Sequence, residues 1–556
     1  MKTNATFRLI TGLLFSASVM FAQERNSIIP YSATHELKSS ITTIVMPNHD
    51  FTQDIKEAEE FEKNGNYPRF ARHFDINRTL LNSGTWTEVG KGDRIWQLKL
   101  KSNGALSTGL FFEDFWLPEG SSLTVYSPDL KQIYSYDYSN NQGNKLFSTE
   151  FIQGEEQIIE YFEPAEVRDQ GSLRITSLSH QYRSVLADPC EVNIICTPEG
   201  TNWQDEKKGV CRIYVVEGSQ AGYCSGTLIN NTSLDCKRYI LTAFHCGVSA
   251  TTTNFNSWVF RFNFEATQCT GQADTFGANN AFTGCSKKAD SGDNGGDTGS
   301  DFLLLEMTST ATPTWWSGVY WNGWINTNTA PTGGGVGIHH PAGSNKKIST
   351  FSATPTSQSW GGSTPNTHWR FSWIGTTNGW GVTEGGSSGS PIFNSSGLVF
   401  GTLTGGSSYC NSVQAGGQTQ PDLYGKLSYH WTSNGTTSNR QLKPWLDPGN
   451  TGATSLNGSY SPCTATSVSL IENSNIMSVY PNPSNGQVNI QINLKQTENY
   501  NINIFNSVGE LVVSKRIENS NGGNFEFQLS GQSAGIYLIE VVTLNFRETK
   551  KVMITK

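Results

Sequence analysis

The distribution of the cysteines constrains the fold of this chain more than any other feature of its sequence. All ten cysteines lie between residues 190 and 463, and neither the 189 residues before them nor the 93 after them contain one. An even number of cysteines in an exported chain favours disulfide bonds. Metal binding is the alternative, but the chain contains no C-x-x-C pair that would indicate it. We therefore predict a disulfide-linked central unit between two cysteine-free flanks. The ten are Cys190, Cys196, Cys211, Cys224, Cys236, Cys246, Cys269, Cys285, Cys410 and Cys463.

The first residues have the pattern of a signal peptide. Lys2 and Arg8 precede an almost uninterrupted apolar or small run from Leu9 to Ala22, and polar residues follow. A membrane anchor is the alternative, but a spanning helix needs about 20 apolar residues and this run is shorter. Residues 1–22 are therefore predicted to be a signal peptide that is removed on export.

The composition favours an all-β secreted protein. Charged residues make up 15% of the chain, against about 25% in an average soluble protein, whereas 56 residues are Gly and 15 are Trp. The 39 basic and 47 acidic side chains give a net charge of −8 and no basic face, so nucleic acid is not an expected partner. A helical bundle and a disordered chain both fit this composition poorly.

Residues 23–187 form the first flank, which the sequence pattern predicts to be β-rich. Alternating polar and apolar runs at 94–100 and 122–126 are separated by turn signals such as Pro118-Glu-Gly120. This pattern is typical of the short strands of a β-sandwich. Nothing in this flank resembles a catalytic cluster.

The second flank, residues 478–556, follows a polar linker at residues 464–477. It opens with Tyr480-Pro-Asn-Pro-Ser-Asn-Gly486, and short alternating strands follow, among them Gly535-Ile-Tyr-Leu-Ile-Glu-Val541. We predict a small β-sandwich. The opening, this strand and the basic terminus resemble the C-terminal sorting domain of the type IX secretion system. That resemblance implies a contact with the secretion machinery and a location outside the cell or on the outer-membrane surface. A carbohydrate-binding β-module is the alternative.

A histidine in the central unit is a candidate general base. The stretch Arg238-Tyr-Ile-Leu-Thr-Ala-Phe-His-Cys246 predicts a strand that delivers His245 at its C-terminal end, beside a cysteine that can fix it. Imidazole suits this role because its pKa lies near working pH. Taken alone, such a residue is as often an ordinary structural histidine.

A glycine-flanked serine lies far downstream, in Gly385-Gly-Ser-Ser-Gly-Ser-Pro-Ile-Phe393. Glycines on both sides of Ser388 permit a tight turn with little bulk near the hydroxyl. They also let the backbone N–H groups of Gly386 and Ser388 point at one spot, as an oxyanion hole requires. A Gly/Ser-rich loop is the alternative, since Gly405-Gly-Ser-Ser408 is another one.

A serine nucleophile needs a base and an acid that orients the base, so an aspartate is expected between His245 and Ser388. Asp301 opens the apolar run Asp-Phe-Leu-Leu-Leu-Glu306 and is the preferred candidate. The competing Asp290, Asp293 and Asp297 lie in a Gly-rich loop without such a run. That loop departs from a calcium loop at Gly292 and has no flanking helices, so we predict neither a metal nor a cofactor.

The stretches around His245, Asp301 and Ser388, in this order along the chain, resemble those of the chymotrypsin-type serine endopeptidases. The resemblance to the bacterial lysyl endopeptidase family is closer still. The resemblance implies two antiparallel β-barrels at residues 188–463 with the site between them, and a pro-segment at residues 23–187. It also implies that His245, Asp301 and Ser388 form the catalytic triad. The further matching stretches are Ile195-Cys-Thr-Pro-Glu-Gly200, Leu228-Ile-Asn-Asn-Thr232, Gly337-Ile-His-His-Pro341, Trp360-Gly-Gly362, Gly381-Val-Thr-Glu384, Pro421-Asp-Leu-Tyr-Gly425 and Trp445-Leu-Asp-Pro448.

Substrate preference follows from the charge of the expected pocket. The position six residues before Ser388, which is acidic in trypsin, is Val382 and cannot bind a cation. Asp422 matches the pocket aspartate of the lysyl endopeptidases, and a buried carboxylate without its own cation favours an ammonium. We therefore predict hydrolysis after Lys, with Arg weaker. Asp422 as a surface turn residue is the alternative, and Glu384 is the other acid nearby.

Other substrate-binding residues follow from the resemblance. Thr404, Gly405 and Gly406 match the segment that lies beside the substrate, and Trp360 is retained next to them. Thr404 is a departure, because the family often has a histidine there. The adjacent His339 and His340 look like metal ligands but are expected to be structural, since neighbouring strand residues point to opposite faces.

The disulfide pairing is implied by the resemblance for six of the ten cysteines, namely Cys190–Cys410, Cys196–Cys269 and Cys224–Cys246. The other four have no counterpart in the family. For these we predict Cys211–Cys236 and Cys285–Cys463.

The leading hypothesis is a secreted zymogen of a Lys-directed serine endopeptidase. Its pro-segment is expected to leave near Arg183–Pro189. Polypeptides are the expected substrates, the protein is expected to be a monomer, and no cofactor is needed. The alternative is a catalytically inactive or differently specific protein of the same fold that acts as a cell-surface adhesin or binding protein.

Overall fold

A computed structural model of the chain describes residues 29–35, 37, 40–270, 275–276, 280–361, 364–410, 416–465, 477–507, 510–542 and 547–555. The predicted signal peptide and most of the predicted linker lie outside these residues. The described residues separate into two compact units, with the division after Ala465. No helix among the described residues is long and apolar enough to span a membrane.

The N-terminal part of the first unit is a two-layered β-structure. One sheet has the order β1-β4-β10-β6-β7 with β3 beside β4, and β2, β11 and β5 pair in the other. Leu98, Leu110, Ile159 and Leu178 from the two sheets share one buried core. The elements are α1 (Tyr31–Thr34), β1 (Thr42–Val45), α2 (Thr52–Lys63), β2 (Arg69–Thr79), β3 (Thr85–Val89), β4 (Asp93–Lys101), β5 (Ser107–Trp116), β6 (Ser122–Tyr126), β7 (Ile133–Asp137), β8 (Phe147–Ser148), β9 (Ile152–Gln153), β10 (Glu156–Glu163) and β11 (Ser172–Gln181).

The cysteine-containing part of the first unit is built from short strands and four short helices among its described residues. Their bounds are β12 (Val192–Asn193), α3 (Glu206–Gly209), β13 (Val210–Glu217), β14 (Gln220–Leu228), β15 (Tyr239–Thr242), α4 (Thr252–Asn256), β16 (Val259–Phe262), β17 (Glu265–Ala266), β18 (Thr275–Phe276), β19 (Ala281–Thr283), β20 (Cys285–Asp290), β21 (Leu303–Met307), β22 (Tyr320–Trp321), β23 (Trp324–Ile325), β24 (Gly335–His339), β25 (Lys347–Phe351), β26 (Thr356–Gln358), β27 (His368–Phe371), β28 (Pro391–Asn394), β29 (Val399–Gly406), β30 (Asp422–Lys426), α5 (Leu427–Thr432), α6 (Lys443–Leu446), β31 (Ser455–Leu456) and β32 (Ser459–Tyr460).

These strands form two antiparallel systems, each with its own core. In the first, β13, β14, β15, β16, β20 and β21 surround buried residues such as Ile213 and Phe260. In the second, the order is β12-β25-β24-β28-β29-β30-β27-β26, over a core that includes Trp373 and Tyr424. The predicted fold class, an all-β double antiparallel barrel, is confirmed.

The N-terminal layer and the first barrel share one continuous sheet. Strand β2 pairs antiparallel with β14, and the partners are Arg72 with Gln220, Ala71 with Ala221 and Arg69 with Gly222. A Cβ atom at residue 222 would lie 2.5 Å from the Pro68 carbonyl oxygen, so this close approach requires glycine. The sheet therefore crosses the predicted boundary between residues 187 and 188.

Buried contacts reinforce this junction. Tyr67, just before β2, and Phe70, within β2, are 0% and 1% exposed and belong to the core of the first barrel. The Arg69 guanidinium lies 2.8 Å from the Glu217 carboxylate, with both side chains largely buried. The Tyr214 hydroxyl on β13 hydrogen-bonds to His73 and to Ser179 on β11, at 2.8 and 2.7 Å. Much of one barrel face is thus covered by the N-terminal layer.

The second unit is one sheet with the order β33-β34-β36-β37, with β35 paired to β34. Val488 and Ile490 near the start of β34 and Ile502 and Ile504 near its end belong to one buried core. The bounds are β33 (Met477–Tyr480), β34 (Gln487–Phe505), β35 (Leu511–Gln528), β36 (Gly535–Val542) and β37 (Arg547–Ile554).

The structure contains four disulfides. Three of them, Cys190–Cys410, Cys196–Cys269 and Cys224–Cys246, are the pairs implied by the resemblance. The fourth joins Cys236 to Cys463.

The predicted pairs Cys211–Cys236 and Cys285–Cys463 are therefore wrong. Cys211 on β13 and Cys285 on β20 point into the core of the first barrel as free thiols, at 0% and 3% exposure. Cys236 lies in the loop before β15, and its Cα is 5.1 Å from that of Cys463, within the usual span of a disulfide.

Candidate active site

His245 lies in a single helical turn directly after β15. Its neighbour Cys246 is bound to Cys224 of β14, so the turn is tied to the adjacent strand. The His245 backbone N–H donates to Asp301 Oδ1 at 2.9 Å, and the ring nitrogen Nδ1 lies 2.7 Å from Asp301 Oδ2. Two bonds to one carboxylate fix the ring orientation and place the proton on Nδ1.

Asp301 is fully buried two residues before β21 and has a φ of 60°. The Asp301 N–H donates to the carboxylate of Asp293 at 3.0 Å, so this competing aspartate supports the predicted one instead of contacting His245. Burial alone would lower the pKa of His245. The charge and hydrogen bond of Asp301 outweigh this effect and raise the pKa above its ordinary value.

Ser388 lies in the tight turn that precedes β28. Gly386 and Gly389 have φ values of 96° and 78°, which favour glycine. A Cβ atom at residue 389 would lie 2.1 Å from Thr242 Oγ1, so the turn is pressed against the end of β15. The Ser388 carbonyl accepts from the Ser225 N–H at 2.8 Å. The serine turn is thus joined to the barrel that carries His245.

The structure lacks the hydrogen bond between Ser388 and His245 that a complete triad would have. No hydrogen bond joins Ser388 Oγ to His245 Nε2, and the buried Nε2 atom has no partner among the described residues. The two segments are nevertheless adjacent, since Cys246 Sγ lies 3.9 Å from the Ser388 carbonyl oxygen. Hydrogen bonds between catalytic groups are often long or misaligned before substrate binds.

The predicted oxyanion hole consists of backbone groups in the same turn. Within the part of the chain that the structure describes, neither the Gly386 N–H nor the Ser388 N–H donates to a protein acceptor. The surrounding carbonyls are occupied, because Gly386 O accepts from Ser225 Oγ at 2.9 Å and Gly385 O from Ala342 N at 2.7 Å. These contacts hold the turn while leaving its two N–H groups for a ligand.

A crevice of about 480 Å³ opens beside Ser388. Trp360, Thr404, Gly405 and Gly406, which the resemblance implied to bind substrate, all line it. A Cβ atom at residue 405 would lie 3.0 Å from the Trp360 ring, so this glycine makes room for the indole. The second barrel and the N-terminal layer therefore meet at this crevice.

Asp422 lies directly beneath the crevice, at the start of β30, and is 1% exposed. Its Oδ2 atom accepts from Thr383 Oγ1 at 2.7 Å, Ser408 Oγ at 2.6 Å and Trp373 Nε1 at 2.6 Å, and its Oδ1 atom accepts from the Ser408 N–H at 3.1 Å. Burial raises the pKa of Asp422, and these hydrogen bonds oppose that shift. The alternative of a surface turn residue is excluded by its burial.

Sequence reasoning missed the groups around this carboxylate and behind Thr404. Thr383 and Ser408 line the crevice and donate to Asp422, so they connect the buried charge to the open space. His368 on β27 lies 2.9 Å from Thr404 Oγ1. Thr383 lies in Gly381-Val-Thr-Glu384, one of the stretches that match the family, so the sequence could have indicated its role. His368 has no such signal, because its contact with Thr404 depends on how the strands pair.

The adjacent histidines contact different groups. His339 lies between Ser387 and Ser349, at 2.7 and 2.9 Å, and burial lowers its pKa to about 3. His340 Nδ1 lies 2.9 Å from the Ser344 carbonyl oxygen. His339 therefore steadies the residue next to Ser388, which agrees with the structural role expected for it.

The structure has two antiparallel barrels, with a His–Asp pair at a strand end of the first and a glycine-flanked serine turn in the second, and this arrangement is that of the chymotrypsin-like fold. Residues 186–425 match the family model of the lysyl endopeptidase C-terminal domain, and residues 478–555 match that of the secretion system C-terminal sorting domain. The central part of the chain is therefore similar to the lysyl endopeptidase family. The sorting domain places the protein outside the cell or on its surface.

The chain is also similar to individual proteins. The chain is 29% identical over 303 residues to a lysyl endopeptidase of Pseudomonas aeruginosa, and the match covers 51% of this chain and 62% of that protein. Among solved structures, it is similar to the protease Anisep of Arthrobacter nicotinovorans at 17% identity, with a TM-score of 0.27 over 39% of this chain and 90% of that one. It is also similar to the secreted serine protease VesC of Vibrio cholerae at 13% identity, with a TM-score of 0.26 over 62% and 68% of the two chains.

Proposed function

We propose that the protein is a secreted serine endopeptidase, made as a zymogen, that hydrolyses peptide bonds on the carboxyl side of Lys and more slowly after Arg. The observation that carries this proposal is the buried Asp422 carboxylate beneath the crevice that Ser388 lines. A polypeptide can reach Ser388 through that crevice, and the carboxylate supplies a negative charge below it. An ammonium is the complementary group for such a site.

The proposed reaction uses the three predicted residues in sequence. His245 Nε2 takes the proton of Ser388 Oγ as the oxygen attacks the scissile carbonyl carbon. Asp301 holds the ring and stabilises the imidazolium, while the N–H groups of Gly386 and Ser388 bind the oxyanion. The imidazolium then protonates the leaving amine, and water attacks the acyl-enzyme by the same route.

The hydrogen bonds of Asp422 give a reason for preferring Lys to Arg. Its two oxygens already accept four hydrogen bonds, from Trp373, Thr383 and Ser408. A guanidinium is best bound by two free carboxylate oxygens side by side, which this arrangement does not offer. An ammonium is a compact charge that the hydroxyl oxygens of Thr383 and Ser408 can also solvate.

A panel of matched peptide substrates tests the proposal. We expect kcat/KM to be highest for a p-nitroanilide with Lys before the scissile bond, about tenfold or more lower with Arg, and lowest with Ala or Glu. The peptides should differ only at that residue. A preference for a neutral or acidic residue would contradict the assigned role of Asp422.

The pH dependence of hydrolysis should follow the protonation of His245. Because the general base must be neutral and Asp301 raises its pKa, we expect kcat/KM to fall on acidification through a pKa above the ordinary histidine value. Burial, followed by the charge of Asp188, raises the pKa of Glu384 to about 7, so this residue is the control. A Glu384→Gln variant should keep the acidic limb, whereas loss of the limb would assign it to Glu384.

The remaining parts have roles that follow from this proposal. Residues 1–22 would direct export, residues 23–187 would form the pro-segment and residues 188–463 the protease domain. Residues 478–556, after the linker at 464–477, would engage the type IX secretion machinery. We propose that the protein acts as a monomer.

A further inference from the structure

We propose that the precursor is activated by hydrolysis after Arg183, carried out by a separate endopeptidase that accepts Arg, and not by its own Lys-directed activity. This inference rests on the proposed preference for Lys. The reaction consumes one water: the peptide bond between Arg183 and Ser184 breaks, leaving a carboxylate on Arg183 and a free amine on Ser184.

The positions of the lysines exclude self-processing after Lys at the junction. No Lys occurs between Lys145 and Lys207. Hydrolysis after Lys145 would leave β10 and β11 of the N-terminal layer covalently attached to the barrels. Lys207 lies beyond the disulfide-bonded Cys190 and Cys196, in α3, where its ammonium is 2.8 Å from the Glu265 carboxylate. Neither site releases the N-terminal layer from an intact protease domain.

Arg183 is the only basic residue between the end of β11 and Cys190. Residues 182–189 have no helix or strand, and the Leu186 side chain is 84% exposed. Such an exposed irregular segment between two anchored parts is readily cleaved. Because Cys190 is bound to Cys410, a new N-terminus at Ser184 would remain attached close to the second barrel.

The Arg183 side chain is held by contacts within the N-terminal layer. Its Nε donates to the Arg69 carbonyl at 2.6 Å, and its guanidinium forms an ion pair with Glu62 at the end of α2. Glu62, together with residues 183–186, lines the same crevice as Ser388. Arg183 therefore helps to close one wall of the crevice and does not enter the site above Asp422.

The loop after α2 extends this wall over the serine turn. Asn66 and Pro68 also line the crevice, and a Cβ atom at residue 385 would lie 3.0 Å from the Pro68 ring. The Glu62–Arg183 ion pair joins the end of α2, just before this loop, to the segment after β11 where the cut is proposed. Hydrolysis after Arg183 breaks the covalent link between this wall and the barrels.

Purified precursors with Ser388→Ala, which cannot process themselves, are the first test. We expect an Arg-specific endopeptidase to produce a protein whose N-terminus is Ser184, and a Lys-specific endopeptidase to produce none with that end. Arg183→Lys should reverse the two results, and Arg183→Gln should abolish both. N-terminal sequencing and mass measurement identify the ends.

Precursors with an intact Ser388 test the separate-protease requirement. Arg183→Lys should form the Ser184 end unaided, about tenfold or more faster than the wild type. Equal rates without an added protease would overturn the proposal, as would a secreted wild-type protein that begins at another residue. If the Arg-cleaved product hydrolyses Lys and Arg peptides equally, the proposed preference fails, but the mapped processing site is unaffected.

The Ser388→Ala precursor also allows a test of whether the Glu62–Arg183 ion pair protects the bond after Arg183. Glu62→Gln should speed cleavage after Arg183 by the Arg-specific protease several-fold, because it frees the guanidinium. Glu59→Gln is the matched control, as Glu59 is exposed on the same helix. Equal rates for both variants would show that the ion pair does not protect the bond.

Discussion

Replacing Ser388 with Ala should lower kcat/KM for Lys peptides by a factor of about 10⁴ or more, because the variant has no oxygen to form the acyl-enzyme. The residual rate would come from binding and from the Gly386 and Ser388 N–H groups, which the substitution retains. The measurement is hydrolysis of casein and of a Lys p-nitroanilide, with both proteins first cleaved after Arg183 by the same added protease.

The control for this prediction is Ser396→Ala, an exposed serine in the turn after β28. It should hydrolyse both substrates as the wild type does, and both variants should unfold at the same temperature. Full activity of Ser388→Ala would exclude this residue as the nucleophile. A cleaved wild type without activity would favour the alternative of a binding protein, which the open Ser388–His245 link also permits.

The positions of the candidate catalytic residues could be predicted because each stands beside a strong local signal. His245 ends an apolar strand next to a cysteine, Asp301 opens another apolar run, and Ser388 lies between glycines. Such signals depend on residues close in the chain. The distance between Ser388 Oγ and His245 Nε2 depends on how two barrels and the N-terminal layer pack, and no local pattern encodes it.

The joined sheet and the extra disulfide were beyond sequence reasoning for the same reason. Alternation along β2 predicts a strand but does not tell which edge it will pair with, and its partner β14 lies 140 or more residues away. Cys236 and Cys463 are 227 residues apart and have no counterpart in the family. Cys211 and Cys285 behave as small core residues, for which burial matters more than oxidation.

The predicted pocket acid was found by resemblance, but its surroundings came from the structure. Asp422 is not on the crevice surface; the hydroxyls of Thr383 and Ser408 lie between it and the open space. A sequence places an aspartate near the serine turn without showing how many donors surround it. The number and position of those donors decide whether the Asp422 carboxylate can bind an ammonium group.

Replacing Asp422 with Asn should lower kcat/KM for Lys substrates by a factor of about 10²–10⁴, since an ammonium left without its buried counter-charge costs about 3–5 kcal/mol. Hydrolysis of an otherwise identical Ala substrate should change little, so the Lys-to-Ala ratio is the quantity to measure. Because Asn also offers an NH₂ group to the Trp373 and Thr383 donors, thermal unfolding must be compared with the wild type. Glu384→Gln is the matched control, as Glu384 is an acid that lines the crevice close to Ser388. If Glu384→Gln removes the preference for Lys while Asp422→Asn keeps it, the ammonium pairs with Glu384, and the buried carboxylate serves only to hold Thr383 and Ser408.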